Sequence, residues 1–227
     1  MAAPRWQWDR PEIVTGFTST PPNADLLQFT EAEARRLGAG ATLLDLGCGA
    51  GRNAVPAARQ GWRVVGLDSS VPMLRAARGW AREHGVSGQV QLLSARMDRL
   101  PLRDRSCDLV VAHGIWNLAA SAAEFRGALR EAARVARRGA GLFVFTFSRS
   151  TLAPAATPVR GEPFVFTDFS GQPQCFLTGR ELVSELAEAG FTPDPAVALR
   201  EMNRPEGRVL PVQRVPVIYQ GTFRFGG

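Results

Sequence analysis

The chain reads as an α/β protein: a mostly parallel sheet covered by helices on both faces. Three observations predict this. Short apolar runs at 42–47, 62–68, 89–93 and 141–147 alternate with stretches of helical period, the pattern of strands buried on both sides. The first run ends in three alternating glycines, Gly47, Gly49 and Gly51. The second ends in an acid, Asp68, 23 residues beyond Asp45. The 227 residues form one domain with a real core, without internal repeats or linkers.

Residues 1–22 hold Trp6, Trp8 and Phe17 with no clear period, and 18–22 (TSTPP) is a loop signal. Tryptophans placed ahead of a ligand-binding domain read either as a lid over the site or as packing on the sheet edge. Asn23 caps a helix to residue 37, whose apolar face holds Leu26, Leu27 and Phe29 and which Gly38 stops. After the strand at 42–47 a helix spans about 52–60, with Pro56 in its early turns, where a missing N–H costs least. The strand at 62–68 leads to a helix from about Ser70. The strand at 89–93 leads to a connection holding Arg96, Met97, Asp98, Leu100 and Pro101.

Residues 104–113 read as a turn and then a strand ending at His113. Ser121 with Glu124 three residues on is a capping box for a helix over 121–137, which Arg138-Gly139 ends. Residues 148–176 are rich in proline, threonine and phenylalanine. A loop this long reads as a substrate lid, with a short strand near 164–169. Thr178 and Glu181 form a second capping box, for a helix over 179–189. Residues 191–200 and 212–225 read as a terminal hairpin around a loop at 203–211.

The glycine turn predicts a nucleotide-like ligand. Glycine adopts positive φ and lets a ligand approach the backbone, and a helix opening after the turn aims N–H groups at a negative group. The dinucleotide fingerprint G-x-G-x-x-G would need glycine at position 52, which is Arg52. An arginine there suits a ligand with a single carboxylate, gripped by two parallel hydrogen bonds. Asp68 is placed to accept from both hydroxyls of a ribose, or else to cap the helix that follows it.

These residues carry a resemblance. Asp45-Leu46-Gly47-Cys48-Gly49-Ala50-Gly51 resembles motif I of the class I S-adenosylmethionine (SAM) methyltransferases. The continuation Gly51-Arg52-Asn53 is similar to the tellurite-resistance and thiopurine-type small-molecule branch. The resemblance implies a Rossmann-like seven-stranded sheet with a C-terminal antiparallel hairpin, and SAM as cofactor. It implies that Asp45, Gly47, Gly49, Gly51 and Arg52 hold the methionine end, Asp68 the ribose, and Met73 and Met97 the adenine, with Cys48 and Ser69 also among the cofactor-binding residues. It also implies that the tryptophan-bearing N-terminal segment covers the cofactor. The family's acid on the adenine amino group falls here on Arg96, a departure for which Asp98, two residues on, is the candidate substitute.

Ligands sit outside the carboxyl ends of such strands, so His113 to Asn117 face the reaction region. His113 is the candidate base, or else a histidine that hydrogen-bonds the cofactor or is satisfied in the core. Trp116 floors a substrate pocket, with Asn117, Trp6 and Trp8, or else anchors the next helix. Methyl transfer from a sulfonium needs mainly in-line positioning, so no loud catalytic motif is required. The turn after 107–113 lacks the proline motif of amino-group DNA methyltransferases, and no cysteine stands where pyrimidine-C5 enzymes carry one.

Composition narrows the partners. The net charge is +6, and all 27 basic residues are arginines. Either arginine codons are favoured by a GC-rich genome, or nucleic acid is a partner. The densest group (Arg126, Arg130, Arg134, Arg137, Arg138) has the helical spacing of a solvated face. The readings are therefore a small-molecule methyltransferase, an RNA methyltransferase or a catalytically silent SAM-binding protein, with the first preferred and nucleic acid disfavoured. Cys48, Cys107 and Cys175 form no CxxC pair, so neither a disulfide framework nor a metal site is expected. No apolar run approaches the length of a membrane span, and a cytoplasmic protein is the default.

Overall fold

The computed structural model describes residues 7–204 and 215–227. In chain order the elements are α1 (Pro11–Ser19), α2 (Ala24–Leu37), β1 (Thr42–Leu46), α3 (Ala54–Arg59), β2 (Arg63–Asp68), α4 (Val71–Glu83), β3 (Val90–Ser94), β4 (Cys107–His113), α5 (Ala122–Val135), β5 (Ala136–Phe147), β6 (Val165–Phe166), β7 (Gln174–Cys175), α6 (Gly179–Glu188), β8 (Phe191–Pro193), β9 (Arg200–Met202) and β10 (Ile218–Phe225). The main sheet runs β3-β2-β1-β4-β5-β10-β8, with β9 also on β10. The first five strands are parallel and β10 is antiparallel to β5. The order reverses beside β1, and the crevice there is where an open α/β sheet binds its ligand.

Two apolar layers hold the sheet. On one face Leu44, Leu46, Val110, Leu142 and Val144 pack against α5 and α6 and against Phe164, Val165 and Leu177 of the segment after β5. On the other, Leu43, Val64, Leu109, Val111 and Phe143 pack against α2 and α3. β1 is buried on both faces, the pattern of a central parallel strand, although Asp45 interrupts its apolar run.

The differences from the sequence reading have local causes. Residues 7–22 are not aperiodic: a 3₁₀ turn at Gln7–Asp9 leads into α1, which Pro11 opens at the position where its missing N–H costs nothing. The outer strand read over 191–200 is cut in two, giving eight strands rather than seven. Pro193 and Pro195 cannot donate to a ladder, so the chain leaves β8, makes a 3₁₀ turn at Pro195–Val197 and rejoins the same edge as β9. The hairpin loop lies outside the described residues, apart from 203 and 204. The box at Thr178 and Glu181 forms in full. At Ser121 the hydroxyl caps Glu124, but the Glu124 carboxylate accepts from Ala120 N–H instead of Ser121. α5 ends at Val135, two residues early, because Ala136 already pairs with Cys107 of β4.

Candidate functional site

The site is built at the carboxyl end of β1. Gly47, Gly49 and Gly51 have φ of +67°, +52° and +86°, a left-handed alternation open only to glycine without strain. The three differ in what surrounds them. A Cβ on Gly47 would lie 2.8 Å from Ile115, and one on Gly51 would lie 3.1 Å from Ala77 of α4. One on Gly49 would have only Phe17 at 3.7 Å and the Met73 sulfur at 3.9 Å. Gly51 thus performs the close helix packing that the dinucleotide pattern assigns to a later glycine. Gly49 alone leaves a cradle beside the backbone. Gly47→Ala is expected to destabilise the fold by about 2–4 kcal/mol in urea titrations, from left-handed strain and overpacking on Ile115.

Asp68 ends β2 beside this loop. Its carboxylate accepts from Gly49 N–H at 2.9 Å and from Ser70 N–H at 2.8 Å. Burial pushes its pKa up, against the pull of backbone N–H groups of Ser70, Gly49 and Ser69 and with a push from Asp9. It is not the cap of α4: that cap is Ser70, whose hydroxyl accepts from Met73 N–H and donates to Asp9 at 2.6 Å. Ser69 is exposed and Met73 is buried beneath the loop. α1 and the 3₁₀ turn before it pack on α4, with Trp8 edge-on to Phe17 at 5.6 Å. Trp6 lies outside the described residues.

Asp45, one residue before the end of β1, is 2% exposed, and its Oδ2 has no hydrogen-bond partner among the described residues. Burial drives its pKa up to about 7; Arg52 opposes the shift and Asp68 adds to it. Arg52 Nη2 lies 3.2 Å from His113 Nδ1, and Asn23 Nδ2 lies 3.3 Å from His113 Nε2. The His113 ring stacks on Phe145 at 4.1 Å and 9°. Burial first, then the Arg52 charge, pushes its pKa down to about 3, so it is neutral at physiological pH.

Other candidates are placed differently. Trp116 is fully buried, edge-to-face with Phe125 of α5 at 6.2 Å, so it anchors that helix and offers a substrate no surface. Asn117 is 2% exposed beside it in the chain and is equally withdrawn from any open pocket. Cys48 is buried, and burial pushes its thiol pKa well up, followed by Asp45 and Asp68, so it is no nucleophile. Asp98 does not stand in for an adenine-binding acid: both its oxygens accept from Arg96, at 2.9 Å each, and its Cβ faces Gly127 of α5. Met97 is half-buried and packs on the core. Sequence reasoning missed Phe17, Gln220 and the tertiary role of Asn23, which it placed only as a cap.

Three of the five arginines in the dense group are tied to acids: on α5 Arg126 to Glu185 and Arg134 to Glu131 and Asp104, and on β5 Arg137 to Asp108. A cleft of about 760 Å³ opens at the opposite ends of the strands, lined by Thr42, Arg63 and Gln89 among others. It is on the wrong side of the sheet for the crevice that holds a nucleotide.

A family model described as a methyltransferase domain matches residues 44–145, from β1 to β5. The demethylmenaquinone methyltransferase of Mycobacterium tuberculosis (strain H37Rv) is 33% identical over 177 residues, 75% of this chain and 68% of that protein. Among solved structures, the [4+2]-cyclase SpnF superposes with a TM-score of 0.70 at 20% identity, over 97% of this chain and 94% of that one. The 1,6-didemethyltoxoflavin-N1-methyltransferase of Burkholderia thailandensis, solved with S-adenosylhomocysteine, superposes with a TM-score of 0.66 at 18% identity, over 100% and 94%. The two structures bear on the fold alone; the family model and the 33% relative bear on descent. The chain belongs to the methyltransferase-domain family of SAM-dependent methyltransferases, and its cofactor is SAM.

Proposed function

We propose that the chain methylates a small molecule in a cleft closed by its own N-terminal segment. The observation that carries this is Phe17: α1 lies over the glycine turn, with the Phe17 ring the nearest side chain above Gly49. A segment seated there suits an enclosed acceptor rather than a polymer. The ion pairs of Arg126 and Arg134 on α5 and of Arg137 on β5 support the same reading, because they offset part of the positive charge that RNA would need there. The relative named for demethylmenaquinone acts, by that name, on a small molecule.

Bound SAM supplies an electrophilic methyl group on a sulfonium leaving group. This chain's residues bind, orient and exclude water. The unpartnered Asp45 oxygen fits the ammonium of the methionine end, and Arg52 with His113 fits its carboxylate. Asp68 keeps lone pairs for the ribose hydroxyls, and Met73 lies against the Gly49 cradle. In this reading His113 is a cofactor ligand and not a base. The end of β5 with the segment 148–176 is the second wall: Phe147 and Phe169 are half-buried against Phe166, Phe176 and Leu152 and give an apolar lining. The soluble compartment in this proposal is the cytoplasm; among the described residues no helix is long and apolar enough to cross a membrane.

The test is a methyl-transfer screen with labelled SAM over phenol, amine, thiol and hydroquinone panels, run beside RNA. Turnover of a small acceptor is expected. Transfer to RNA, with binding that falls steeply as salt rises, would replace the proposal with the polymer reading.

A further inference from the structure

We infer that Asn23 and Gln220 are positioning residues that hold the His113 proton on Nδ1, and so make His113 and Arg52 a two-donor seat for one carboxylate. That the carboxylate is the cofactor's rests on the proposed function above; the tautomer does not. The argument follows the direction of each hydrogen bond, starting from a carboxylate that can only accept. Asp25 Oδ2 accepts from Gln220 Nε2 at 2.6 Å and is ion-paired to Arg200. That fixes the Gln220 amide, whose Oε1 therefore accepts from Asn23 Nδ2 at 2.8 Å. The Asn23 amide is fixed independently, because its Oδ1 accepts from Leu26 N–H at 2.9 Å as the cap of α2. Two unrelated partners thus agree that Asn23 turns its NH₂ group toward His113 Nε2, 3.3 Å away.

A donor faces each ring nitrogen, Arg52 at Nδ1 and Asn23 at Nε2, and the Asn23 amide is the one held in place by two further partners, so Nε2 is the acceptor. A neutral imidazole has one acceptor nitrogen, so its proton sits on Nδ1. Nδ1–H then faces Arg52 Nη2 at 3.2 Å, and arginine only donates. Two donors turned on one another make no hydrogen bond; an anionic oxygen between them satisfies both. Of the charged groups around the ring, Arg52 faces Nδ1 directly, Asp25 and Arg200 act through Gln220, and Asp45 lies across from Arg52. Gln220 is fully buried, which holds the relay in one arrangement.

The experiment is long-range ¹H–¹⁵N spectroscopy of histidine-labelled protein without ligand. The chain has two histidines, and His84→Gln removes the signal of the exposed one without touching the site. His113 is expected as the Nδ1–H tautomer. Asn23→Asp keeps an oxygen to cap Leu26 but turns an acceptor toward Nε2, so the tautomer should flip to Nε2–H. The flipped variant should bind S-adenosylhomocysteine about tenfold more weakly, the scale of one charge-assisted hydrogen bond. It should bind 5′-methylthioadenosine, which lacks the amino-acid end, unchanged. A wild-type Nε2–H tautomer, or a variant spectrum identical to wild type, overturns the inference. So does a flip that weakens both ligands equally, which is what a merely structural role would give. Failure of wild-type protein to bind S-adenosylhomocysteine overturns the cofactor reading and with it the carboxylate, while the ligand-free spectrum still decides the tautomer.

Discussion

Asp68→Ala is expected to weaken S-adenosylhomocysteine binding by at least about a hundredfold, read by calorimetry. Two ribose hydroxyls donating to one carboxylate are worth about 1.5–3 kcal/mol each, and each 1.4 kcal/mol is a factor of ten. The substitution also frees Gly49 N–H and Ser70 N–H, both of which Asp68 holds in the structure. Part of the loss would therefore come from a loosened glycine turn. Asp68→Asn separates the parts. Its single carbonyl oxygen can keep one of those N–H bonds and accept from one hydroxyl, so its affinity should fall between wild type and alanine. A thermal melt shows whether the turn has loosened. Unchanged affinity in Asp68→Ala would take the ribose away from β2 and leave the proposed cofactor geometry without its anchor.

The sequence carried the parts of this protein that are periodic or local. β1, the glycine turn, Asp68 at the end of β2 and the Thr178 capping box are each set by residues within a few positions of one another, and each stands where its pattern put it. Contacts between distant segments left no such trace. Phe17 meets the glycine turn and Asn23 meets Gln220 across almost the whole chain, so neither has a spacing to read. Trp116 shows the same limit from the other side. Its place just after β4 suggests a pocket, but only the packing of Phe125 against it decides that it is core. The split of the outer strand was legible in principle, because two prolines within three residues cannot both sit in a ladder.

Asp45 sets the second large effect, and it acts through pH. In the ligand-free protein burial holds its pKa at about 7, above the 3.8 of an ordinary aspartate. An ammonium group seated against Oδ2 favours the ionised form, so binding the cofactor expels the proton. Affinity for S-adenosylhomocysteine should therefore fall about tenfold for each pH unit below about 7. Asp45→Asn should bind about 10- to 100-fold more weakly at pH 8 and lose that slope. The same carboxylate works against stability. A folded-state pKa raised above the unfolded one gives a contribution present below pH 3.8 and lost as pH rises through 7. Without ligand, Asp45→Asn is then more stable than wild type at pH 8, because it removes a buried, unpartnered charge. His113 runs the other way. Its folded pKa, about 3 against an ordinary 6.5, gives stability present above 6.5 and lost as pH falls toward 3. Between about pH 4 and 6.5 the two slopes, each about 1.4 kcal/mol per pH unit, oppose one another. Urea midpoints of wild type should be nearly flat there with respect to this pair, while Asp45→Asn should lose stability on acidification and His113→Gln should gain it. Parallel curves for all three proteins would mean that neither group titrates as its burial demands.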